Sequence, residues 1–200
     1  TEDLVTHGTN VFVHVPAPPA RFDENGDLSA PPDFTRHDQE LRPLVGKGLA
    51  RRQSGGQFLF PSHQHALSGP DTLLSPSWTK AFRRYLPLWV AHLKELGVGY
   101  RDFALYPFDE AHGPVFDQLL SHARLVKEVD PNVRIYADLG GILPRPEQLR
   151  AARGLVDIYQ PWQGHFEEEA PAWLNELKAT GKPVWMYRES NNMKELSPLG

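Results

Sequence analysis

Two hydrophobic periods alternate along this chain. Short runs with period two, rich in β-branched and aromatic residues, recur as NVFVHV (10–15), QFLFPS (57–62), DFALYPF (102–108), VRIYADL (133–139), VDIYQPW (156–162) and PVWMYRE (183–189). Each predicts a strand. Between them lie segments of helical period. HDQELRPLVGKGLA (37–50) has Asp33 or Thr35 as its cap, and WTKAFRRYLPLWVAHLKELG (78–97) stands behind Ser77. In the latter, Phe82, Leu86, Trp89, Val90, Leu93 and Leu96 keep one face, Gly97 ends the helix, and Pro87 is expected to kink or split it. Helices follow over VFDQLLSHARLVKEV (115–129), PEQLRAARG (146–154) and EEEAPAWLNELKATG (167–181). The first loop carries RFDENGDL, a small hairpin turning at Asn25-Gly26.

Strand and helix in strict alternation, with short links, give an α/β fold: a parallel sheet with helices outside. Six such strands in 200 residues fall short of the eight of a complete (β/α)8 TIM barrel of ~250 residues. The expectation is therefore one catalytic-type β/α barrel domain over residues 1–200, a fragment of a larger protein, with the first and last strands missing. An open doubly wound sheet is the alternative, but no Gly-rich phosphate loop follows the first strand.

Composition narrows the classes. Hydrophobic residues make up 40%, enough for a core, and the net charge of −4 offers no basic stripe for nucleic acid. No apolar run approaches the ~20 residues of a membrane span. There is no cysteine, so disulfides and thiolate metal sites are absent. No metal or organic cofactor is implied. His63 and His65 form an HxH that reads as a loop brace, without the further ligands of a metal site. Glu167, Glu168 and Glu169 read as a solvated helix start, and His7 and His14 flank the first strand.

Polar and aromatic residues collect where strands end: Asp109 and Glu110, then Tyr136 and Asp138, then Tyr159, Gln160 and Trp162, then Tyr187, Arg188 and Glu189. In a β/α barrel these ends share the face that holds the active site. An acid pair after a strand is also a helix-start signal. Alternation puts Tyr106, Phe108 and Glu110 on one side of the strand and Leu105 and Asp109 on the other, unless Pro107 bends the strand end. Carboxylates beside aromatic platforms suit glycosidic cleavage, which needs a proton donor and a second stabilising or attacking group.

YPFDEAHGP, VDPNVRIYADLGG, VDIYQPW, GKPVWMYRES and SPLG, in this order, resemble the family-123 glycoside hydrolases and related glycosidase-like barrel domains. Ala111 stands where that family usually has proline. The resemblance implies a retaining, substrate-assisted N-acetylhexosaminidase acting on β-linked oligosaccharides or polysaccharides. Glu110 would be the general acid/base and Asp109 would hold the 2-acetamido group, their adjacency pushing the two pKa values apart. Tyr136, Asp138, Tyr159, Trp162, Tyr187, Glu189 and His14 would contact the sugar. It also implies a secreted or periplasmic location. Two alternatives stay open: a retaining β-glycosidase with Glu110 as acid/base and Glu189 as nucleophile, their carboxyls ~5–5.5 Å apart, and a non-catalytic carbohydrate-binding barrel.

Overall fold

The computed structural model describes residues 11–45, 58–62, 66–140, 143–162 and 171–185. The protein is α/β. Strand β1 (Val11–Pro16) leads through helix α1 (Thr35–Val45) to β3 (Phe58–Ser62), which pairs with it in parallel. The register of this pair shifts between Val13 and Val15, around His14. Beyond the ends of these strands the same two stretches run side by side again, as β2 (Ala20–Arg21) against β4 (Leu67–Ser68). The loop after β2 turns back on itself: Phe22 bridges Leu28, and Gly26 sits at φ +75°.

Helix α2 (Pro76–Glu95) supplies the largest buried face, with Trp78, Phe82, Tyr85, Leu86, Trp89 and Leu93 at helical spacing. Its cap is Ser75, whose Oγ accepts from Trp78 N at 3.2 Å, rather than Ser77. It ends in a Schellman motif: Gly97 N–H reaches Lys94 O, Val98 N–H reaches Leu93 O, and Gly97 adopts φ +82°. Pro87 does not split it. Burial of Leu86, Trp89 and Val90 on either side, at about 1.5–3 kcal/mol each, outweighs the ~3 kcal/mol of an internal proline.

The second half follows a single rule. Leu105 bridges Ile135 in parallel, β5 (Tyr136–Leu139) pairs with β6 (Ile158–Pro161), and Tyr159 bridges Val184 in parallel. Four chain segments therefore lie side by side in sequence order. The connecting helices α3 (Gly113–Val129), α4 (Pro146–Ala152) and α5 (Pro171–Lys178) pack in the same order, α2 on α3, α3 on α4, α4 on α5. Parallel neighbours joined by right-handed crossovers place such helices on one side of the sheet. Leu105, Ile135, Ala137 and Tyr159 join the main core with them, while Ala104, Tyr106, Tyr136 and Ile158 form a separate cluster on the other face, with Trp185 against it.

Among the described residues the strands make three two-stranded parallel sheets, and they do not close a barrel. The expected strand over 102–108 is reduced to bridge residues at Phe103, Leu105 and Tyr106, of which Leu105 pairs with Ile135. Pro107 has no N–H to continue the ladder. At the base of the sheet Asp157 ties several segments together. It accepts from Ile135 N at 3.0 Å, Lys127 Nζ at 2.7 Å and Lys182 Nζ at 3.2 Å. No helix among the described residues is long and apolar enough to cross a membrane.

Candidate acid–base site at the strand ends

Tyr106 comes off the helix-free face of its segment and is 4% exposed. Its ring meets Tyr136 edge-on, with centroids 4.9 Å apart and planes at 82°. Its hydroxyl lies 2.5 Å from Asp109 Oδ1 and 3.0 Å from Asp138 Oδ2. A phenol has one proton to give. When it donates to one carboxylate, the other is best satisfied by carrying a proton and donating to the phenol oxygen. The three groups thus form a chain that accommodates one extra proton.

Asp138 is where that proton is held most easily. Burial to 8% exposure pushes its carboxyl up to about 6. The Tyr106 hydroxyl and the Gly140 N–H, 2.8 Å from Oδ1, act in the opposite direction, and the charges of Asp109 and Glu110 add to the rise. Burial likewise raises the Tyr106 phenol well above its usual value, and its two carboxylate neighbours reinforce this.

Strand alternation does not survive Pro107. Phe108 joins the main core rather than the face of Tyr106, so Asp109 swings onto that face. Glu110 is exposed and leaves the strand line with φ +41°. The His112 ring closes this turn, with Nδ1 2.7 Å from Glu110 O. A carbonyl only accepts, so His112 Nδ1 carries the proton and Nε2 of a neutral ring is left with a lone pair. The turn is braced from α4. Gln148, 4% exposed, donates to Gly113 O at 3.1 Å and to Asp117 Oδ1 at 2.9 Å.

The other expected site residues divide. Gln160 pairs with Asp138 across the β5–β6 register, and Trp162 is half-buried just beyond β6. Tyr159 is not at the mouth: it points into the helix-packed core, is fully buried, and its hydroxyl has no hydrogen-bond partner among the described residues. His14 belongs to β1, which pairs with β3 and not with these strands. Tyr187, Glu189, His7, His63, His65, Glu167, Glu168 and Glu169 lie outside the described residues.

A second polar cluster was not anticipated from the sequence. His37 and Asp38 on α1 face His92 on α2, with ligating atoms within 4.8 Å of one another. Hydrogen bonds account for those atoms. The Trp89 indole N–H donates to His37 Nε2 at 3.1 Å, so a neutral His37 carries its proton on Nδ1, 3.3 Å from Asp38 Oδ1. His92 Nε2 lies 2.6 Å from the same oxygen, and Arg42 Nη2 lies 2.6 Å from Asp38 Oδ2. Both rings direct an N–H toward Asp38 Oδ1 and Arg42 covers Oδ2, so the atoms that converge here are engaged in hydrogen bonds, and a neutral His92 keeps its lone pair on Nδ1, on the side of Glu95. These donors hold the Asp38 carboxyl down at about 2 against the opposing effect of burial.

No family model matches the chain, and no curated protein matches it. Among solved structures, the metallated homocysteine methyltransferase MmuM from Escherichia coli aligns over 98% of this chain and 72% of its own, with 17% identity and a TM-score of 0.46. The expected resemblance to family-123 glycoside hydrolases is corrected: no family model and no curated protein matches the chain, and the aligned structure named above is a methyltransferase, not a glycosidase. The assignment as a hydrolase of N-acetylhexosaminides, with Glu110 as acid/base and Asp109 on an acetamido group, falls with it. So do its two-glutamate and carbohydrate-binding variants. Glu110, the expected acid/base, is exposed, and Asp138 is buried.

Proposed function

We propose that the strand ends around Tyr106 form the acid–base centre of a proton-transfer enzyme. Asp138 carries the proton, Tyr106 conducts it, and Asp109 is its outer partner. The observation that supports this is the single phenol shared by two carboxylates, one of them with its pKa raised to about 6. A carboxyl poised near the working pH serves as acid below that value and as base above it. Asp109 and Glu110 stand exposed beside it and disfavour anions, so the substrate class is an uncharged or cationic small molecule.

The experiment is a thermal-shift and turnover screen of neutral, cationic and anionic small molecules at pH 5 and pH 7.5, run on the wild type and Asp138→Asn. The expected result is stabilisation or turnover by neutral or cationic compounds, pH-dependent in the wild type and lost in the variant. Responses confined to anions, or indifferent to Asp138→Asn, would contradict the proposal.

A further inference from the structure

We infer that His37, clasped between the Trp89 indole and Asp38, is an acid-sensitive latch that holds helix α1 on helix α2 at neutral pH and releases it when the ring takes a second proton. His37 is 1% exposed, and both ring nitrogens are engaged across or beside the α1–α2 contact. Its Nε2 accepts from Trp89 on α2, 52 residues away. An imidazolium has no acceptor. A second proton would have to sit on Nε2, facing the indole N–H, so the inter-helix bond becomes a clash of two donors.

The surrounding charges pull both ways. On α1, Asp38 and Glu40 favour the cation, and Arg42 neutralises part of Asp38. On α2, His92 lies with its ring centroid 5.8 Å away and opposes it, itself flanked by Glu95 at 3.7 Å and stacked on Phe34 at 3.8 Å. Strand β1, which contacts α1, has His14 as the one titratable residue in its sequence. Burial outweighs the favourable charges and holds the folded ring below its ordinary value. The unfolded or undocked ring takes its proton near ~6.5. The docked state is therefore fully favoured above that pH and loses ground as pH falls below it, by up to about tenfold in the docking equilibrium per pH unit.

The test is amide-exchange protection across residues 35–45 of the full chain between pH 7.5 and pH 4.5, with the Trp89 indole N–H resonance followed in parallel. Wild type should lose α1 protection and the indole resonance together below about pH 6.5. His37→Gln, whose amide supplies an acceptor for the indole and a donor for Asp38 without titrating, should stay docked throughout. His14→Gln should behave as wild type. Protection that is flat with pH in the wild type, an equal loss in His37→Gln, or abolition of the loss by His14→Gln would each overturn the latch. A nitrogen-15 spectrum placing the neutral His37 proton on Nε2 would overturn it without any variant.

Discussion

At the scale of single residues, the chemistry of the strand ends turns on a phenol with one proton between two carboxylates. Tyr106 donates, and that donation holds Asp138 lower than burial alone would. Tyr106→Phe should therefore move the Asp138 carboxyl above about 6, read by carbon-13 NMR of the side chain. An unchanged value would show that the phenol does not act on it, and a fall would show that the phenol favours the protonated carboxyl instead. The same shift makes Asp138 a pH-dependent burden on stability. A raised carboxyl binds its proton more tightly folded than unfolded. Its contribution is most favourable below about 3.8, declines as pH rises through about 6, and stays lost above that. Asp138→Asn should gain on the wild type in denaturant melts on going from pH 4 to pH 7; a constant difference between the two would refute the shift. Much of this was visible in sequence as an acidic, aromatic strand end, but the choice of acid was not. Alternation pointed to Glu110, and the chain instead broke step at Pro107 and delivered Asp109. Tyr159 misleads for a related reason. An aromatic near a strand end carries no information about facing until its register with the neighbouring strand is known, and here Ile158, not Tyr159, is the partner of Tyr136.

At the scale of elements, helix α2 is the best specified. Its periodic face and its terminal glycine could be read from the sequence because propensity, burial and capping all agree there. Nothing lies within 4 Å of a Cβ built at Gly97, so Gly97→Ala should cost only the left-handed conformation, about 1–2 kcal/mol by chemical denaturation. Gly97→Asn should cost less. Equal tolerance of all three residues would mean that the Schellman end does not form. Gly26 differs: a Cβ there would strike the Ser77 carbonyl at the start of α2, and its φ is +75°. Gly26→Ala should therefore exceed the cost at Gly97. The His37–Asp38–His92 cluster was invisible at this scale. Its members are 54 residues apart between Asp38 and His92, and the sole local clue is a histidine where α1 turns its buried side.

At the scale of the whole molecule, the alternation of strand and helix predicted parallel pairing, and parallel pairing is present in every sheet among the described residues. The incomplete (β/α)8 barrel, lacking its first and last strands, was an inference from length and strand count, and among the described residues the strands form three two-stranded sheets with no closed barrel. The ordered array from Leu105 through Val184 depends on its base as well as on its ladder. Asp157 gathers an amide of the β5 segment, a lysine of α3 and a lysine before Val184. Asp157→Ala leaves these donors without their acceptor, and we expect a loss of about 2–3 kcal/mol, typical of hydrogen bonds to a charged group. A neutral outcome would mean that the segments cohere through the apolar face alone.

The most direct test of the acid–base centre is the titration of the Asp138 carboxyl carbon in the intact protein, followed by NMR from pH 3 to pH 8. The expected midpoint is about 6, accompanied by a change at the Tyr106 ring over the same range. A midpoint at the ordinary aspartate value of about 3.9, with Tyr106 unmoved, would remove Asp138 as the proton carrier and the proposed chemistry with it.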